Sequence, residues 1–183
     1  MFQLKTARLR LRDWVEDDWH LIKMLSADPL VTRYQTRLRL MNTDEECRRW
    51  LADAIRTNAE QPRVAYSTAV VLRRDDRAIG WLHWQEEAED RANGEVSFGY
   101  ALLPQMWRRG YMSEAVNAML RFIFEVQRKE SAYASCAAAN RASAGVLEQA
   151  GMKLVERWMH RDEHVDMEEE YLRYRLERSE WRV

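Results

Sequence analysis

Apolar and polar residues alternate in some stretches of the chain and recur at three- and four-residue steps in others, which separates strands from helices. Residues 7 to 13 (ARLRLRD) alternate with Leu9 and Leu11 on one face and predict a strand. Asp17 or Asp18 then starts a short helix carrying Trp19, Ile22 and Leu25, which Asp28-Pro29 ends. Asn42-Thr43-Asp44-Glu45-Glu46 offers a helix N-cap with acids in the first turn, and Cys47, Trp50, Leu51 and Ile55 repeat at helical spacing behind it. Residues 64 to 72 (VAYSTAVVL) and 78 to 84 (AIGWLHW) are β-rich runs on either side of a charged turn, Arg73 to Arg77, and predict a hairpin. A third strand follows Asn93-Gly94, from Glu95 to Leu103, and Pro104 stops it.

The clearest helical stripe is Met112, Val116, Met119, Leu120, Ile123 and Val126, which predicts a helix from Met112 to Val126 with one buried face. Residues 131 to 138 (SAYASCAA) read as a strand and Ala142 to Gln149 as a helix stopped by Gly151. Met152 to Met159 and Tyr171 to Leu176 are the last two strands. The order β-α-α-β-β-β-α-β-α-β-β implies a mixed sheet with helices on its faces, an α/β layered fold. Pro29, Pro62 and Pro104 fall at boundaries between elements. With no linker or repeat in sight, one domain over 1–183 is expected.

Composition narrows the partners. The 183 residues carry 29 basic and 30 acidic side chains, a net charge of −1, so no global field draws in a polyanion and nucleic acid is not expected as a partner. The basic run 33 to 40 (RYQTRLRL) has acids soon after it and reads as a substrate-side loop between the first two helices. No apolar run is long enough for a signal-peptide core or a membrane span, so a cytoplasmic protein without membrane contact is expected. Cys47 and Cys136 have no metal-ligand spacing and read as reduced and structural. Eight Trp and nine Met fill grooves as readily as cores, and composition does not separate those uses.

The chemistry is concentrated in residues 95 to 115, EVSFGYALLPQMWRRGYMSEA. A strand runs through a turn containing Gly110 into an amphipathic helix, which aims unpaired backbone N–H groups and the positive dipole end at one spot, a ready anion site. Gly110 lets a phosphate approach the backbone, with Arg108 and Arg109 beside it. An ordinary strand-to-helix turn with solvated arginines has the same pattern, so these residues alone leave both readings open.

W-R-R-G-Y-M-S-E-A, residues 107 to 115, resembles the pyrophosphate loop of the GNAT N-acetyltransferases, and more narrowly that of the subgroup related to the ribosomal-protein N-terminal acetyltransferases. TARLRLRDWVEDD resembles the subgroup's opening strand, IGWLHW its central strand and GEVSFGYALLP the strand before the loop. NRASAGVLEQAGM and YLRYRLERSEW resemble its late helix and closing strand, so the resemblance spans essentially the whole chain. The chain departs from the pattern at Arg108, where the family has glycine, at Met112, where it has a small residue, and at Met152, where it has Phe.

The resemblance implies a GNAT fold, with a central mixed, mostly antiparallel sheet of about seven strands and helices on both faces. It implies acetyl-CoA as co-substrate and direct transfer of the acetyl group to a primary amine on a protein N-terminus or a small molecule; no metal is expected, because no His, Cys, Asp or Glu set in the sequence has convincing ligand geometry. Arg108, Arg109, Gly110, Tyr111, Met112 and Ser113 are then the pyrophosphate-binding residues, and Leu102 and Leu103 pair with the pantetheine as an added strand. A backbone N–H around Tyr100 to Leu103 faces the thioester oxyanion. Glu95, sharing a strand face with Ser97 and Gly99, is the leading general base or amine-orienting carboxylate, with His83 on the neighbouring strand as the fallback. Asn140 and Ser143 contact the pantetheine or sulfur, although Asn140 also suits a helix cap. Where many relatives place a proton-donating Tyr, this chain has Leu147. His160 and His164 with Asp162 and Asp166 have a spacing that suits a metal on a helix, but they fall between the last two strands and read as a solvated loop. An acyl-CoA sensor without turnover is the alternative function, and a homodimer is left open.

Overall fold

The structure, a computed structural model, describes residues 1–35, 38, 41, 43–86, 94–162 and 167–182. Its strands are β1 (Gln3–Lys5), β2 (Leu9–Asp13), β3 (Ala65–Leu72), β4 (Ala78–Gln85), β5 (Glu95–Leu102), β6 (Ser131–Ala137), β7 (Lys153–Asp162) and β8 (Met167–Glu177). They form one sheet in the order β1-β2-β3-β4-β5-β6-β8-β7. The mixed α/β architecture is the expected one, with eight strands rather than about seven. The added strand, β1, is three residues long and its exposure alternates only weakly, too short a run to carry a periodic signal. By their contacts the residues fall into two compact units, Met1–Gln85 with Gly99–Met119, and Glu86–Phe98 with Leu120–Val183.

In the first unit, β2, β3 and β4 form an antiparallel meander in which Leu9, Leu11, Val70, Leu72 and Leu82 are almost wholly buried. Gly80 of β4 is required by close packing, since a Cβ there would lie 2.2 Å from the Ala101 carbonyl oxygen and 3.0 Å from Leu102 Cα. Helix α1 (Trp19–Ser26) packs on β4 and is tied to β2 by a two-pronged ion pair, with Arg12 Nη1 2.6 Å and Nη2 2.9 Å from the Asp18 carboxylate. The Asp18 hydrogen bond outweighs burial and pushes the Arg12 guanidinium above its ordinary value.

Asp28-Pro29 ends α1 as expected but also begins a short helix that the pattern did not reveal, α2 (Pro29–Thr32). Asp28 caps it, and Pro29 occupies the first turn, where a missing N–H costs nothing. Helix α3 (Asp44–Ala59) packs on β3 and starts from Thr43. The Thr43 hydroxyl accepts from the Glu46 N–H while the Glu46 carboxylate accepts from the Thr43 N–H. Asn42 lies outside the described residues.

In the second unit, β6 runs parallel to β5 over three registers only, Glu95 to Ser97 against Ser131 to Tyr133, and antiparallel to β8 along its whole length. Helix α5 (Arg141–Gln149) follows β6, and Leu147 is 1% exposed. Helix α4 (Tyr111–Arg121), which belongs to the first unit as far as Met119, continues into a π-helical turn over Phe122–Val126, where the pattern predicts one regular helix. Its stripe is buried as far as Ile123, while Val126 is 65% exposed and closes no core.

Candidate active site

β5 ends against a 3-10 turn at Pro104–Met106, and Trp107-Arg108-Arg109-Gly110 then carries the chain into α4. Two of these residues are left-handed, Arg108 at φ 57° and Gly110 at φ 72°. Gly110 adopts that conformation without strain, whereas Arg108 does so at a cost of roughly 1–2 kcal/mol at a position where the family pattern has glycine. The Gly110 carbonyl accepts from the Glu114 N–H at 3.1 Å, which closes the first helical turn. The N–H groups of Tyr111 and Met112 therefore start the helix with no intrahelical acceptor, at its positive end. The Met112 side chain is 6% exposed, so the bulk that departs from the family pattern goes into the core and away from this spot.

The loop is held from behind. Arg8 Nη1 donates to the Arg109 carbonyl at 2.9 Å, Arg8 Nε lies 2.6 Å from Glu114 Oε2, and the guanidinium stands 4.6 Å from the Tyr111 ring centroid. The Glu114 carboxylate also accepts from the Arg8 N–H at 2.8 Å and from the Thr6 hydroxyl. Burial raises the Glu114 pKa, but the Thr6 and Arg8 hydrogen bonds and the Arg8 charge together hold it below the usual carboxylate range. Sequence reasoning missed Arg8, because it sits in an alternating strand approach where a charged residue reads as the solvent face.

Leu102 and Leu103, expected to pair with a ligand, have internal partners here. The Leu102 carbonyl accepts from the Trp107 indole at 2.8 Å, the Leu103 N–H donates to Ile79 at 2.9 Å, and the Leu103 carbonyl accepts from Met106 at 2.8 Å. The Tyr100 carbonyl accepts from Gln35 Nε2 at 3.1 Å. A ligand that pairs with the Leu102 carbonyl shares it with the Trp107 indole or displaces it. His83 is half-buried, with its ring 3.2 Å from where a Gly99 Cβ would stand and 5.6 Å from the Trp81 ring.

In the second unit Glu95 is the first residue of β5 and is 9% exposed. Its Oε1 lies 2.8 Å from Arg175 Nη1 and accepts from the Ser131 hydroxyl at 3.2 Å, and its Oε2 makes no hydrogen bond among the described residues. Asn140 caps α5 through a 3.1 Å bond from the Ser143 N–H, the capping role open to it from the sequence. The Ser143 hydroxyl hydrogen-bonds the Cys136 sulfur. Burial pushes that thiol up, and the Ser143 bond offsets it in part. Beside them the Tyr174 hydroxyl donates to Glu148 at 2.9 Å, and burial together with this bond raises the phenol pKa. The structure thus joins Asn140 to Ser143, and Glu95 to Arg175 and Ser131. Arg175 and Tyr174 escaped sequence reasoning because the closing strand simply alternates, with nothing to mark either residue.

Among the described residues no group of three His, Cys, Asp or Glu side chains is arranged to hold a metal ion, and no helix is long and apolar enough to cross a membrane. His164 and Asp166 lie outside the described residues, and His160 packs against Tyr171 at 5.0 Å between ring centroids.

Residues 8–153 match the family model of the acetyltransferase (GNAT) domain, a stretch containing β2 through α5 and the whole loop described above. The chain belongs to the GNAT acetyltransferase family. It is 25% identical over 150 residues to the uncharacterised N-acetyltransferase YnaD of Bacillus subtilis, which covers 82% of each chain. It is 24% identical over 187 residues to the FsC-acetyl coenzyme A-N(2)-transacetylase of Aspergillus fumigatus, covering 97% of this chain and 77% of that one. Among solved structures, the ribosomal alpha-N-protein acetyltransferase RimL in complex with coenzyme A superposes with a TM-score of 0.83 at 17% identity, over 96% of this chain and 98% of that one. The two GNAT chains therefore share a fold.

Proposed function

We propose that residues 1–183 act as one acetyl-CoA-dependent N-acetyltransferase domain in the cytoplasm, moving the acetyl group directly onto a primary amine of a protein N-terminus or a small molecule. The observation that carries this reading is the left-handed Arg108–Gly110 turn, clamped by Arg8 and Glu114 at the start of α4. It suits a pyrophosphate, because helix-start N–H groups, a glycine and two exposed arginines meet at one place. The relatives that match the chain include one named FsC-acetyl coenzyme A-N(2)-transacetylase, which favours the same co-substrate.

Acetyl-CoA supplies the activated acyl group. The chain's own residues hold the two reactants and manage the protons. An acceptor ammonium gives one proton to Glu95 Oε2, directly or through water, and the free amine attacks the thioester carbon. The N–C bond forms and the C–S bond breaks. The nitrogen's second proton leaves with the thiol, so amide, thiol and one proton are the products. Ser131 and Arg175 fix the Glu95 carboxylate through its other oxygen, so the acid–base group is oriented before the acceptor arrives. The backbone N–H groups near Tyr100 to Leu102 are the proposed oxyanion donors, since that of Leu103 already donates to Ile79, and Asn140 with Ser143 is the proposed contact of the pantetheine or sulfur.

Acetyl-CoA titrated calorimetrically, followed by thiol release against a panel of amines and peptide N-termini, tests the proposal. Binding with turnover supports it. Binding without turnover on any amine leaves a sensor, and no binding removes the reading.

A further inference from the structure

The second unit contains a cavity of about 340 Å³ lined by Glu95, Tyr133, Val155, Glu156, Arg173 and Arg175, a volume in the range of small-molecule sites. Strand register brings the lining together, with Tyr133 opposite Arg175 across β6 and β8, and Arg173 opposite Glu156 across β8 and β7.

Its two arginines differ. Arg175 is fully engaged, with Nη1 beside Glu95 at 2.8 Å, Nε beside Glu177 at 2.7 Å, and Nη2 donating to the Ser131 hydroxyl at 3.1 Å. Arg173 is oriented but half engaged. Its Nη1 lies 2.7 Å from Glu156 Oε2, and its guanidinium carbon stands 5.3 Å from the Tyr133 ring centroid and 5.2 Å from that of Trp158. Its Nε is buried with no hydrogen-bond partner, and its Nη2 makes no hydrogen bond among the described residues. Nε and Nη2 form one edge of the planar group, the edge that receives both oxygens of a carboxylate in parallel bonds.

We propose that Arg173 anchors a carboxylate carried by the acceptor, so that the acceptor is an amino acid or another amine bearing a carboxylate. This rests on the acetyltransferase reading above and narrows its acceptor. Nη2 can take one carboxylate oxygen as it stands, and the unsatisfied Nε gains a hydrogen bond that offsets the small shift of its neighbours needed to admit the other. The two neighbouring rings and Glu156 hold the guanidinium near its place beforehand, which lowers the ordering cost of binding. The charges agree as well. The cavity's two arginines and two glutamates balance, so a doubly charged phosphate would add negative charge that nothing there offsets, whereas a zwitterion adds no net charge. Glu95 Oε2, without a hydrogen bond, offers the acceptor's ammonium a partner in the same cavity.

The test measures acetylation of the twenty common L-amino acids, β-alanine and 4-aminobutyrate, each against its own carboxamide, with wild type, Arg173→Gln and Arg173→Lys. At least one acid is expected to exceed its amide at least tenfold in kcat/KM. Arg173→Gln should raise the KM for that acid at least tenfold while changing the amide by less than threefold. Arg173→Lys keeps the charge but not the paired edge and should recover only part of the loss. Calorimetric titration of the same acids into wild type and Arg173→Lys, with coenzyme A present, gives a readout independent of turnover and should show the same ranking. Equal use of acids and amides, an equal loss on both in the variants, a preference for O-phosphoethanolamine, or no acid binding overturns the anchor. Turnover of a carboxylate-free polyamine with every acid refused also overturns it, yet leaves the acetyltransferase reading standing. Failure to bind acetyl-CoA fails that reading instead.

Discussion

Arg8 and Glu114, 106 positions apart in the sequence, meet at 2.6 Å through Nε and Oε2, and Arg8 also grips the Arg109 carbonyl. One guanidinium therefore holds both the turn that leads into α4 and the first turn of the helix itself. Arg8→Met removes the grip on the turn without touching Gly110. Acetyl-CoA affinity should fall about three- to tenfold, about 0.7–1.4 kcal/mol, with the Arg8→Lys variant between the two. Calorimetry reads this directly, and an unchanged dissociation constant would show that the loop keeps its shape unaided.

The same pair gives a pH signature. Glu114 is held below its ordinary value of 4.5, so it binds fewer protons folded than unfolded and stabilises the fold at any pH above that value. That contribution disappears as pH falls from about 4.5 through the lower folded value. Thermal denaturation of Glu114→Gln against wild type should show a gap at neutral pH that closes below pH 4. A gap independent of pH would mean that the carboxylate charge is irrelevant there.

Glu95→Gln keeps shape and hydrogen bonding but removes the basic oxygen. Turnover should drop on the order of 10²–10⁴-fold while the thermal shift induced by acetyl-CoA stays intact, and the defect should shrink as pH rises and more acceptor amine is neutral. Wild-type turnover in Glu95→Gln with a loss in His83→Gln would move the base to β4.

Activity is expected to survive EDTA without loss. Restoration of an EDTA-inactivated enzyme by zinc would point to the HRDEHVD segment, part of which lies outside the described residues.

The elements legible in the sequence are those with long periodic faces. The hairpin of β3 and β4, the stripe of α4 and the acid-rich start of α3 each repeat often enough to declare their period, and each is found near its expected bounds. What stayed hidden is short or non-local. β1 has three residues, α2 has four, and the π turn at Phe122–Val126 keeps the apolar spacing of a helix while changing its hydrogen bonding. The site divides in the same way. Gly110 and Asn140 announce themselves by residue type, since few residues adopt a positive φ or cap a helix well. The partners of Glu95 and Glu114 do not. Arg175 in an alternating strand and Arg8 just before one are two arginines among many, and only the register across the sheet and the packing of α4 show what each one holds.

The most direct measurement is acetyl-CoA binding by calorimetry to wild type and Gly110→Val. A β-branched residue cannot adopt the φ of 72° at Gly110 without strain, so the turn has to shift. Wild type should bind, and Gly110→Val should bind more than tenfold more weakly, about 1.4 kcal/mol or above, while retaining its fold by circular dichroism. Equal affinity in the two proteins, or no binding by wild type, would contradict an acetyl-CoA site at the start of α4.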